Sequence, residues 1–208
     1  MKFKYYDTLC LLVTGSVSLF VLSIVFEKEC KDINAIFLLA LAYVLGYLIN
    51  ALGAFLEPVY FLFFGGMPSD RLLTPPKNCR CCGEKKNYTG FGRIRLYEYE
   101  VVISFLKEEL NDQQAESRKM FGCAMLYSNS NEQSRVPDFN AQYAFSRSML
   151  TLSIIVASIL SPLYYNIWWA WLIVVVTLCF VGCRCKECGY YYAKEVLVEY
   201  LKVKKNKK

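Results

Sequence analysis

Apolar residues collect in four uncharged stretches separated by polar chain. Leu9 to Phe26 (LCLLVTGSVSLFVLSIVF) is long enough to be a membrane span, for which about 17 to 25 residues are needed. Lys2 and Lys4 precede it, no Ala-x-Ala-like cleavage site follows, and a second apolar segment begins within ten residues; the pattern predicts an anchor rather than a removable signal peptide. Ile33 to Leu56 predicts the second span, closed by Glu57 and Pro58, with Val59 to Phe64 as a short aromatic-rich stretch suited to the interface. Met149 to Leu163 and Ile167 to Gly182 predict a hairpin of two shorter spans around a turn at Tyr164 to Asn166. At 1.5 Å per residue each would reach only about 22 to 24 Å, against a hydrocarbon core of about 30 Å, so they must be lengthened or the bilayer must thin. The preceding PDFNAQYAFSRS can be helical and would lengthen the third, while Trp168, Trp169 and Trp171 beside Tyr164 and Tyr165 mark the outer interface.

Between the second and third spans the periodicity changes. GGMPSDRLLTPPKNCRCCGEKKNYTGFG is rich in Gly, Pro and Asn and reads as loop and knuckle. Leu96 to Leu110 then places Val102, Phe105, Leu106 and Leu110 on one helical face, and Gln113 to Tyr127 repeats this more weakly through Met120, Phe121, Ala124 and Met125. Pro137 suits the first turn of a helix running into the third span. The expected architecture is all-α: an integral membrane protein with four transmembrane helices and a small cytoplasmic helical cap. Its parts are 1–64 (first transmembrane pair), 65–148 (cytoplasmic loop with the cap), 149–182 (second transmembrane hairpin) and 183–208 (basic cytoplasmic tail).

Composition narrows the chemistry. Of 208 residues 55% are hydrophobic, more than the roughly 45 to 50% of a soluble domain, and none is histidine. Imidazole-based triads, His-ligated metals and haem ligation are thereby excluded. Of the 24 Lys and Arg, only Lys28 and Lys31 fall on the predicted outer connections. The positive-inside rule therefore predicts both termini in the cytoplasm and a multi-pass protein of the inner (cytoplasmic) membrane. The tail KVKKNKK is suited to an anionic leaflet. It has no interleaved aromatic residues, and no direct nucleic-acid binding is expected.

The ten cysteines divide by position: Cys10 and Cys179 within spans, Cys30 outside, and Cys79, Cys81, Cys82, Cys123, Cys183, Cys185 and Cys188 on the reducing side, where no disulfide framework is expected. Two C-x-x-C-G segments, Cys79 to Gly83 and Cys185 to Gly189, resemble the knuckles of a zinc ribbon. Cys79, Cys82, Cys185 and Cys188 are thus candidate ligands of one structural zinc, since four thiolates close a tetrahedral site and leave no open catalytic position. Against this stands a separation of about a hundred residues, far beyond the 15 to 20 of a compact motif. The alternative is unliganded thiols on a continuous helix from Arg184 to Tyr192.

Within the spans, Ala42, Gly46, Asn50 and Ala54 recur every four residues, a small-residue stripe that admits another helix, from this chain or from a second copy, with Asn50 able to hydrogen-bond across the contact. Thr151, Ser158 and Ser161 form a polar line on the third span suited to helix packing or to coating a pore. Glu57 is the one acid in an apolar stretch; it is either a functional ionisable group or a carboxylate paired with Arg71 or Arg147 near the inner boundary.

Five strings, KYYDTL, VLGYLINALGAFLE, PSDRLL, QYAFSRSML and YYYAKEVLVEYLK, together resemble small four-span prokaryotic proteins found beside antiviral systems. Examples are the membrane accessory protein of type VI-B CRISPR effectors and the membrane subunit of Kiwa-type phage defence. The resemblance covers most of the chain, rests on layout, and includes no catalytic motif. It implies a non-enzymatic inner-membrane regulator, without catalytic residues, that senses or modulates infection through a cytoplasmic protein partner such as a defence effector. The competing expectation is an oligomeric pore or ion-conducting effector gated by Glu57 and Asn50.

Overall fold

The computed structural model describes residues 3–26, 34–74, 77–78, 85–86, 94, 96, 98–129 and 134–206. Seven helices are found there: α1 (Phe3–Val25), α2 (Ala35–Phe64), α3 (Pro68–Leu73), α4 (Tyr99–Leu110), α5 (Ser117–Asn129), α6 (Val136–Leu163) and α7 (Trp168–Asn206). The strands among the described residues are two-residue pieces, β1 (Lys77–Asn78) and β2 (Lys85–Lys86), paired antiparallel with Lys77 opposite Lys86. The fold is all-α, and α1, α2, α6 and α7 are long and apolar enough to cross a membrane. The chain is a multi-pass membrane protein.

Both short spans are lengthened. The third belongs to a 28-residue helix that starts at Val136, with Pro137 in its first turn, and the fourth to a 39-residue helix that continues to Asn206. The second span also runs further than its sequence predicts. Glu57 and Pro58 do not close α2, which continues to Phe64 with Pro58 inside it. Proline removes one backbone donor, and the apolar run after it keeps the helix in a low-dielectric setting where the remaining backbone groups must still be paired. The true stop is glycine: Gly65 and Gly66 take φ of +89° and +111°, and their amides bond back to Leu62 O (3.4 Å) and Phe61 O (2.7 Å). That pair of bonds is the Schellman closure, which needs a residue free to adopt left-handed φ.

The chain divides into two compact units. The membrane unit comprises Met1–Tyr60 and Ala141–Cys185. In it α1 and α2 meet through glycine: a Cβ on Gly15 would overlap the Ala42 carbonyl, and one on Gly46 the Leu11 carbonyl. Only hydrogen at both positions permits this backbone contact. Outward faces of the unit's helices are apolar and exposed, as at Phe20 of α1, Phe37 and Phe55 of α2 and Phe180 of α7, which suits lipid contact.

The polar unit comprises Phe61–Asn140 and Lys186–Lys208. Its core joins Leu72 and Leu73 of α3, Val102 and Leu106 of α4, Met120 and Ala124 of α5, and Tyr190, Ala193, Val196, Leu197 and Tyr200 of α7. The apolar stripes predicted for α4 and α5 face this core, with Phe105, Leu110, Phe121 and Met125 packed at its edge. Residues 183–206, the part of the expected tail that lies among the described residues, are not a separate tail. From Lys186 to Asn206 they are helix, and a face spaced at 190, 193, 197 and 200 completes the core.

Candidate functional site

The membrane unit concentrates its polar groups along one seam between α2 and α6. On α2 the face is Asn50, Gly53, Glu57 and Tyr60, at spacings of three, four and three; on α6 it is Tyr143, Arg147, Ser148 and Thr151. Glu57 and Arg147 form an ion pair, with side chains 26% and 14% exposed. The Arg147 guanidinium lies 5.5 Å over the Tyr143 ring, and the Tyr143 hydroxyl is hydrogen-bonded to Glu57. Arg147 Nε is buried without a hydrogen-bond partner. Of the two arginines open to Glu57 by sequence, Arg71 is engaged elsewhere, donating from Nε to Gly65 O at 2.7 Å.

Hydroxyls fill the rest of the seam. Thr151 donates to the Arg147 carbonyl at 3.0 Å, which leaves its oxygen to accept from the Tyr60 hydroxyl at 3.0 Å. Ser148 Oγ lies 2.9 Å from Asn50 Oδ1 and 3.0 Å from the Ala144 carbonyl. One serine proton serves one of these, and turning the Asn50 amide to donate satisfies both. A Cβ on Gly53 would come 2.8 Å from Thr151 Oγ1, so glycine sets how closely α6 approaches.

The small-residue stripe is corrected in one member. Ala42 and Gly46 are buried and Asn50 is half-buried, but Ala54 is exposed and Gly53 takes its place in the contact. A repeat of four advances 400° and so drifts by about 40° per step; twelve residues on, Ala54 has turned about 120° from Ala42, whereas Gly53 has turned about 20°. The stripe is used within the chain, by α1 and α6. On α6, Thr151 is buried, while Ser158 is exposed and bonds its own helix at Ile154 O. Spacing could have found Gly53 and Tyr60 on the Glu57 face; nothing in one sequence names Tyr143 and Ser148 as their partners.

The second C-x-x-C-G segment is not a knuckle. Cys185 to Gly189 lies inside α7, and both thiols are buried. Positions i and i+3 share a helix face, but the turn that aims backbone amides at the sulfurs is missing. Cys79 and Cys82 lie outside the described residues. Among the described residues no three His, Cys, Asp or Glu side chains stand where they could hold a metal ion.

In the polar unit a second cluster fixes the end of α7. Glu109 accepts from the Tyr127 hydroxyl and from Lys204, whose ammonium lies 4.8 Å from the Tyr127 ring centroid. Lys205 pairs with Glu98 at 2.6 Å and Lys202 with Glu199 at 3.0 Å. Three lysines of the basic stretch are thus engaged with acids of the same unit. The hydrogen bond to Glu109, and then burial, raise the pKa of Tyr127; burial first, with Glu109 next, raises that of Cys123.

Neither cluster pairs a nucleophile with a free base. The seam neutralises a charge pair and saturates hydroxyls, and the α7 cluster clamps a helix end. No family model, curated protein or solved structure matches the chain.

Proposed function

We propose that this chain is a non-enzymatic regulatory or accessory protein of the inner membrane, with both termini and the polar unit in the cytoplasm. It acts there through a protein partner, in the setting of a prokaryotic antiviral defence. The observation that carries the reading is the closed seam: Glu57 with Arg147, Asn50 with Ser148 and Tyr60 with Thr151 occupy one another rather than a substrate or an aqueous path. The positive-inside rule supports the orientation, since Arg184 and Lys186 directly follow the apolar part of α7. The defence setting rests on the resemblance of the five strings. Phage plaque counts with and without the chain, in cells carrying a co-expressed defence effector, test the reading. A change in the effector's protection that needs the chain is expected; an effector indifferent to it overturns the proposal.

A second reading has one observation in its favour. Arg147 Nε is buried and unpartnered, so the intramembrane pair is incompletely satisfied, and such charges mark ion pathways. In that reading an oligomer opens when Glu57 and Arg147 separate. Dye or ion leakage from proteoliposomes that is lost on Asn50→Leu or Glu57→Gln would carry it.

A structural zinc on Cys79, Cys82, Cys185 and Cys188 is a proposal carried by the sequence. It predicts metal near one per chain that falls in Cys82→Ser and Cys188→Ser, and equal, negligible zinc in all three proteins overturns it.

A further inference from the structure

On one side of α4 in the polar unit two opposite charges stand without an ion-pair partner among the described residues. Glu100 and Lys107 of α4 are seven residues apart, hence on one side of the helix and about 10.5 Å apart along it. Neither forms an ion pair with a described residue, although Glu98, Glu109, Lys204 and Lys205 around them all do. Ile103 and the exposed Ser104 lie between the two charges. Alongside runs an open cleft of about 560 Å³, with Leu73, Ile103, Ala115 and Met120 at its apolar floor.

This face is its own complement. A two-fold axis perpendicular to α4, passing between Ile103 and Ser104, sets Glu100 against Lys107 of a second copy, and Lys107 against that copy's Glu100. It also brings the two Ile103 side chains together, and the two Ser104 side chains together, at the centre. Opposite charges placed equally on either side of an uncharged centre suit an isologous contact, because each patch must match itself after rotation. From these positions we infer that α4 is a self-association surface, and that its occupant is α4 of a second copy of this chain, running antiparallel. The contact is distinct from the small-residue stripe on α2, which the chain's own helices fill.

The test uses the full chain in detergent or nanodiscs. Ser104→Cys should give a disulfide-linked dimer on mild oxidation, well above both the wild type, which controls for its native cysteines, and Lys119→Cys on the exposed face of α5. Glu100→Lys alone, and Lys107→Glu alone, place like charges opposite each other and should weaken the dimer at least about tenfold. The double swap Glu100→Lys with Lys107→Glu restores the pairing and should restore the dimer. Circular dichroism identifies a swap that has unfolded the unit, and the Ser104→Cys result, which leaves the charges intact, then decides. A chain monomeric at every concentration overturns the inference, as does Ser104→Cys linking no faster than Lys119→Cys. So does a double swap no better than the single swaps, the result expected if another protein covers this face.

Discussion

At the scale of single residues, the Glu57–Arg147 pair dominates the membrane unit. Breaking it from one side leaves a charge in an apolar setting, so Glu57→Gln and Arg147→Gln should each lower stability by about 2 to 4 kcal/mol. The double substitution should cost less than the sum, as read from thermal unfolding in micelles; additive losses would mean that the pair is not coupled. Glycines give a contrasting pair. Gly46→Ala puts a methyl group into the Leu11 backbone and should disrupt the α1–α2 contact, whereas Gly122 of α5 has open space and its alanine variant should gain about 0.5 to 1 kcal/mol. Tyr127 supplies a pH dependence. Its raised pKa means that the folded polar unit favours the neutral phenol; this contribution is complete below about pH 10 and is lost as pH rises through the folded value. The stability advantage of the wild type over Tyr127→Phe, read by circular dichroism during unfolding, should therefore shrink as pH rises above about 10. Glu57, Asn50 and Gly46 were legible in the sequence because each breaks an apolar pattern, whereas Gly53 falls outside a strict repeat of four. The choice of Arg147 over Arg71 was not legible, since it depends on which helix lies alongside.

At the scale of elements, hydropathy located all four spans but misjudged where helices end. Pro58 reads as a stop, and in water it would be a strong one; in an apolar segment the helix persists until Gly65 supplies left-handed φ. Gly65→Ala should therefore cost about 1 kcal/mol through strain alone, measurable by thermal unfolding, whereas Pro58→Ala should be tolerated. The stretch after the fourth span reads as a tail because its lysines dominate the composition. The period of Tyr190, Ala193, Leu197 and Tyr200 is present in the same letters, and burying that face leaves a lysine such as Lys202 solvated, its side chain 57% exposed. Lys204→Glu opposes Glu109 and should loosen the end of α7, which faster amide exchange over residues 196–206 would report.

At the scale of the whole molecule, the chain combines a lipid-facing unit whose seam residues pair with one another, Arg147 Nε excepted, with a polar unit that has its own core. In the proposed function the spans anchor the protein and do not conduct. Ion flux across proteoliposomes containing the purified full chain tests this most directly. Vesicles that hold an ion gradient as long as protein-free ones, for the wild type and for Asn50→Leu alike, are predicted. A leak present in the wild type and abolished by Asn50→Leu or Glu57→Gln would contradict the account and establish the seam as a pathway.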